Sequence, residues 1–113
     1  MSSVDSRSTT DVSRPLSVAA ARRLILEILE SRQSFSFSNH AVDELEKDEM
    51  SMVDVVNVLR CNRTVDPPEP HIVTGAWTYR VHTERMCVVV EFASPTRIRI
   101  VTGWRVKNRG TKR

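Results

Sequence analysis

A histidine and an arginine stand two residues apart in a stretch that has the pattern of a β-strand. Arg80 and His82 alternate with Tyr79 and Val81, so in a strand their side chains share one face and lie about 7 Å apart at the backbone. That distance spans a phosphodiester. An imidazole suits proton transfer near neutral pH, and a guanidinium fork matches phosphate oxygens. The pair could therefore hold a phosphodiester and assist proton transfer at it.

More cations follow in the next predicted strand. Arg97 and Arg99 share one parity, and no acidic residue interrupts the basic ones from Arg97 to Arg113. A net charge of +3 and a pI of about 9.3 favour a polyanionic partner, with nucleic acid the first candidate. Whether these arginines face the same way as His82 depends on the strand register. Thr102 has the opposite parity and reaches that face only through a β-bulge or at the strand end.

The strands that carry these residues form the predicted centre of the fold. Residues 77–83 and 97–105 alternate apolar and polar side chains, while residues 86–92 are nearly all apolar. This pattern predicts two strands with one buried face each, on either side of a central strand that is buried on both faces. The short turns between them predict an antiparallel meander. Tyr79 and Trp104 are expected in its core.

The first half of the chain has the spacing of helices. Apolar residues recur at helical intervals over residues 16–31, over residues 40–47, and after Ser51, which forms a capping-box pattern with Asp54. Residues 34–38 read as a short extended piece, and the proline-rich residues 64–70 lead into the sheet. We expect a disordered tail over 1–14, a single α+β domain over 15–106 with helices packed on a small antiparallel sheet, and a basic tail over 107–113.

Composition and spacing argue against several other classes of site. Cys61 and Cys87 form neither a disulfide framework nor a Cys-x-x-Cys zinc motif, and both are expected to be buried thiols. His40, His71 and His82 lack metal-ligand spacing, so we expect no metal and no cofactor. No apolar run approaches membrane-spanning length, and the N-terminus lacks a hydrophobic secretion core. These features predict a cytoplasmic protein without a membrane partner.

Part of the chain resembles the DUF4258 family, which is placed with the RelE/ParE-like toxin superfamily. The resemblance is carried by Phe37 to Ala41 at a helix start, Met50-Ser51 leading into Val55 and Leu59, and strand segments at Trp77 to Val81, Val88 to Val90, and Ile100 to Thr102. It implies helices on a small antiparallel sheet whose arginines surround bound RNA. Toxins of that superfamily cut RNA without metal. The chain departs from the family at Glu44 and Asp48, where relatives usually carry arginine.

The residues and the resemblance leave two functions open. The first is a toxin-like, metal-independent endoribonuclease of a toxin–antitoxin type system, which cleaves through attack by the RNA 2′-hydroxyl. His40, Arg80 and His82 are then the catalytic candidates, and the substrate-binding candidates are Arg97, Arg99, Thr102 and Arg105. Its partners would be RNA and an antitoxin protein. The alternative is a non-catalytic module on the same fold that binds nucleic acid or an acidic protein, and the acidic Glu44 and Asp48 favour it.

Overall fold

A computed structural model describes residues 10–31 and 35–106. Its helices are α1 (Val18–Glu30), α2 (Asn39–Lys47) and α3 (Met52–Cys61). A serine precedes each helix as N-cap, and the capping box between Ser51 and Asp54 is confirmed. Helix α1 begins two residues after the predicted start at residue 16, because the Ser17 hydroxyl accepts the Ala20 N–H and caps the helix there. No helix of the described residues is long and apolar enough to span a bilayer.

The described strands form one mixed sheet. They are β1 (Phe35–Phe37), β2 (Thr64–Val65), β3 (Glu69–Pro70), β4 (Trp77–His82), β5 (Met86–Ser94) and β6 (Arg97–Arg105). Their order is β1-β6-β5-β4-β2, and β3 pairs with the same strand β4. The antiparallel meander of β4, β5 and β6 is confirmed. The extended piece before α2 is β1, which pairs parallel to β6, so the sheet is larger than the predicted meander.

The helices lie on one face of this sheet, which confirms the α+β class. Apolar side chains of all three helices join those of β4, β5 and β6 in a single core. Burial of these apolar side chains is the main source of stability in a domain of this size. The side chains that β4, β5 and β6 contribute to this core all lie on the helix side of the sheet. They are Tyr79, Val81, Val88, Val90, Phe92, Ile98 and Ile100. Tyr79 is in the core as predicted.

A bulge in β6 changes which side chains face the helices. Val90 lies opposite Ile100, but Val89 lies opposite Thr102, so Val101 is an extra residue. The hydroxyl of Ser38, which caps α2, donates to the Val101 carbonyl at 3.0 Å and fixes the bulge to the helix start. Beyond the bulge the parity is reversed. Trp104 therefore faces away from the helices, and the prediction that it belongs to the core is wrong.

Gly103 takes the place on the helix side that strict alternation would give to Trp104. A Cβ at this position would lie 2.9 Å from Leu45 Cδ2 and 3.2 Å from the Cys87 carbonyl oxygen. The glycine lets α2 approach β6 closely, because any side chain would have to displace Leu45. The bulge and the glycine together place Thr102 and Trp104 on the other face of the sheet.

The chain termini fall largely outside the described residues. The structure does not describe residues 1–9 of the tail predicted over 1–14, nor the tail predicted over 107–113. Residues 10–14 are described; Val12 packs against the core, and Asp11 accepts hydrogen bonds from Ser13. Leu16 then donates its N–H to the Tyr79 hydroxyl at 2.9 Å, which ties the segment before α1 to the sheet. Burial raises the pKa of Tyr79, so this hydroxyl stays neutral.

Candidate functional site

The face of the sheet that carries no helix among the described residues is the candidate site, and we call it the open face. The registers place Arg80, Val89 and Thr102 in one row across β4, β5 and β6. The neighbouring rows contain His82 beside Cys87 and Trp104, and Thr78 beside Glu91 and Arg99. Predicted site residues on this face are Arg80, His82, Arg97, Arg99 and Thr102. Thr102 lies on this face because of the bulge in β6. The sequence had left a bulge and the end of the strand as the two ways for Thr102 to reach it.

Arg80 reaches across the middle strand to Trp104. Its guanidinium carbon lies over the indole, 5.9 Å from the ring centroid, within the range of a cation–π interaction. The two side chains explain why Cys87 and Val89, which lie between them in β5, are only 1% and 7% exposed. Burial raises the pKa of the Cys87 thiol to about 11, although nearby Arg80 lowers it. Cys87 is therefore a neutral, covered thiol, while Cys61 is exposed against prediction.

His82 has a carboxylate partner that the sequence did not indicate. Its Nε2 lies 3.0 Å from Asp66 Oδ2, and both side chains are partly exposed. The Asp66 backbone N–H donates to the Arg80 carbonyl at 3.0 Å and continues the pairing of β2 with β4. An ionised carboxylate only accepts hydrogen bonds, so the neutral ring holds its proton on Nε2. Nδ1 is then the nitrogen that can accept a proton from a ligand.

The two arginines at the start of β6 differ in their surroundings. Arg99 Nε lies 3.6 Å from Glu91 Oε2, and the Glu91 side chain is only 15% exposed. Arg97 is exposed and has no ion-pair partner among the described residues. A ligand anion can therefore approach Arg97 directly, but it must compete with Glu91 for Arg99. Glu91, like Asp66, is a residue of this face that the sequence analysis did not select.

Arg105 lies on the helix side, away from the other predicted binding residues. Its backbone N–H donates to Asp48 Oδ2 at 2.7 Å, and its Nε and Nη2 donate to the Asp48 and Glu49 carbonyls at 2.8 and 2.9 Å. Its Nη2 also lies 3.6 Å from Asp54 Oδ2. These contacts join the end of β6 to the connection between α2 and α3. Arg105 therefore has a structural role, and Asp48 is one of its partners.

His40 and His82 lie on opposite sides of the sheet. It is exposed in the first turn of α2, and α2 packs through Ala41 and Leu45 on the helix side of the sheet. The sheet thus separates the two predicted catalytic histidines. His71 is half-buried, and its Nδ1 accepts the N–H groups of Val73 and Thr74 at 3.1 and 3.3 Å. His71 is part of the turn that joins β3 and β4.

A cleft lies between α3 and the turn from β4 to β5. This cleft has a volume of about 290 Å³. Its charges are partly neutralised internally, since Arg63 Nη1 lies 3.3 Å from Glu84 Oε2. None of the predicted site residues lines it; the lining residues are Asp54, Asn57, Val58, Cys61, Arg63, Thr83, Glu84, Arg85 and Met86. Within the described ranges, no group of three or more His, Cys, Asp or Glu side chains could hold a metal ion.

No family model, curated protein or solved structure matches this chain. The resemblance to DUF4258 and to RelE/ParE-like proteins therefore stays a prediction.

Proposed function

We propose that the open face binds RNA. The observation that carries this proposal is the placement of three arginines, Arg80, Arg97 and Arg99, on the one face of the sheet that no described helix covers. Guanidinium groups match phosphate oxygens in geometry and charge. Successive residues on one side of a strand are about 7 Å apart, so the arginines can contact more than one phosphate of a chain that crosses the strands.

The open face exposes few apolar groups, which favours a polyanion over an apolar protein surface as its ligand. Cys87 and Val89 are buried beneath neighbouring side chains, and Trp104 is partly covered. Protein interfaces usually contain a contiguous apolar core with few charged groups. Among the described residues, the open face instead presents arginine, threonine and histidine around a single indole ring, with Asp66 and Glu91 paired to two of these side chains. Cationic side chains around an aromatic ring are typical of surfaces that bind single-stranded nucleic acid.

The salt dependence of binding tests this proposal. The affinity of a labelled RNA should fall steeply as salt rises, because each phosphate contact releases a counterion. Arg99→Ala should reduce the slope of log K against log salt by roughly one. Arg105→Ala is the matched control, since it removes an arginine of the same strand whose donors are used on the helix side. Absence of binding in low salt, or a salt-independent complex, removes the proposal.

A second candidate function is cleavage of the bound RNA, and the contact between His82 and Asp66 favours it. Asp66 holds the Nε2 proton, so Nδ1 can remove the proton of a 2′-hydroxyl. The 2′ oxygen then attacks phosphorus, the bond to the 5′ oxygen breaks, and a 2′,3′-cyclic phosphate forms. Arg80 would stabilise the extra negative charge of the transition state. Water must protonate the 5′ oxygen, because the described part of the open face holds no second imidazole.

End-group analysis of incubated RNA separates the binder from the enzyme. If the protein cleaves, His82→Gln should lower the rate by about 10²- to 10⁴-fold while RNA binding is kept. His40→Gln, which changes a histidine on the helix layer, should have no effect, and EDTA should change nothing. RNA that is bound yet intact after hours rules out the enzyme and leaves the binding module. A RelE/ParE-like fold is proposed for both candidates, whereas an antitoxin-like partner is proposed only for the enzyme.

A further inference from the structure

We infer that the cation–π pair of Arg80 and Trp104 is a binding site for an unpaired nucleobase, so that the ligand of the open face is single-stranded. This inference rests on the proposed function and deepens it. The guanidinium carbon lies 5.9 Å from the indole centroid, and the Arg80 side chain is nevertheless exposed. The guanidinium therefore lies beside the indole, while solvent can still reach the arginine.

The position of the pair on regular strands makes it a rigid platform. Arg80 is in the interior of β4, with backbone pairing to both β5 and the segment after β2. Trp104 is in β6 beyond the bulge, opposite Cys87. Neither side chain lies on a loop that would have to order on binding, so little conformational entropy is lost when a base stacks. A planar guanidinium held against an aromatic ring presents a flat, polarisable surface of the kind on which bases stack.

The other arginines of the open face lack this arrangement. Arg99 is paired with Glu91, and Arg97 has no aromatic ring beside it among the described residues. No carboxylate pairs with Arg80 in the described part of the chain, so an incoming base or phosphate displaces no ion pair there. Arg80 can then bind in two ways at once, with its plane against a base and its N–H edge toward the adjoining phosphate.

A duplex cannot use this site. Bases in a helix are stacked on both sides by their neighbours, and the major groove of A-form RNA is too deep and narrow for side chains to read. Within residues 10–31 and 35–106, the open face is a sheet surface without a projecting element that could enter a groove. An unpaired base, in contrast, can turn out of its strand and stack on the guanidinium.

The test compares three probes of equal length: single-stranded RNA, the corresponding abasic ribose-phosphate oligomer, and an RNA duplex. We expect the single strand to bind most tightly. Arg80→Lys keeps the positive charge but removes the planar group, so it should weaken single-strand binding by roughly 5- to 150-fold, the value of one stacked base. It should leave binding of the abasic oligomer unchanged. Arg97→Lys is the matched control and should affect the probes with and without bases equally.

The outcomes distinguish this inference from the proposed function. If the abasic oligomer or the duplex binds as tightly as the single strand, the stacking site is overturned while RNA binding stands. The same holds if Arg80→Lys weakens the single strand no more than Arg97→Lys does. If none of the three probes binds in low salt, the proposed function fails and the inference fails with it.

Discussion

The two faces of the sheet are built from alternate residues of the same strands, yet they have different roles. In β5, Val88 and Val90 are fully buried against the helices, while Val89 lies between them on the open face. In β6, Arg105 on the helix side donates to backbone carbonyls, whereas Arg97 on the open face is available to solvent. The difference shows that the facing of a side chain, and not its type, decides whether it stabilises the fold or can contact a ligand.

This division predicts that stability and binding can be changed independently. The apolar groups that leave water on folding are concentrated on the helix side. Polar and charged groups of the open face add little to stability, because exposed ion pairs and hydrogen bonds are nearly balanced by hydration. Substitutions on one face should therefore leave the property of the other face unchanged, and the following predictions test that separation.

The largest expected effect is on the helix side. Ile100 is fully buried beneath the helices, so Ile100→Ala should lower the free energy of unfolding by about 2–5 kcal/mol through lost burial and the cavity left behind. Arg97→Ala, three residues earlier on the open face, should change it by no more than about 0.5 kcal/mol. Urea unfolding of both variants measures the contrast. Equal losses of stability would contradict the assignment of the faces.

A smaller effect is expected where an arginine has a structural role. Arg105→Ala removes side-chain hydrogen bonds to the Asp48 and Glu49 carbonyls and should cost about 1 kcal/mol, since the side chain is partly exposed. Arg99→Ala should cost less, because its single ion pair is long and partly solvated. Thermal unfolding of the two variants checks the order. A larger loss for Arg99→Ala would show that the open face supports the fold.

The smallest expected effect is a gain of affinity. Glu91 holds Arg99 and adds a negative charge to a face that is proposed to bind phosphate. Glu91→Gln removes that charge at similar volume, so it should tighten RNA binding by roughly 2- to 5-fold, the size of a weak, partly solvated ion pair. Fluorescence anisotropy at fixed salt measures this change. Weaker binding by the variant would mean that Glu91 positions Arg99 for the ligand and does not compete with it.

Periodicity was sufficient to predict most of the fold. The apolar spacing indicated the helices, and alternation in residues 77–83 indicated β4 and the facing of Arg80 and His82. Local capping also carries a clear signal, as Ser51 and Asp54 show. These features depend on neighbours within a few residues, which is why a single sequence reveals them.

The parts of the site that could not be predicted depend on distant contacts. The bulge at Val101 is fixed by Ser38, far earlier in the chain, and without it the facing of Trp104 is misjudged. Asp66 reaches His82 only because β2 pairs with β4. The separation of His40 from His82 likewise follows from helix placement. Residue type identified candidates, but only the register and the layering showed which of them meet.

Methyl NMR of the valines of β5 tests the central claim most directly. Val88, Val89 and Val90 are consecutive, and only Val89 faces the open side. On titration with single-stranded RNA, we expect the methyl signals of Val89 and of Thr102 to shift, because a base bound nearby changes their surroundings. The signals of Val88 and Val90 should stay in place. Shifts at Val88 and Val90 with none at Val89 would contradict the account, since they would place the ligand on the helix side of the sheet.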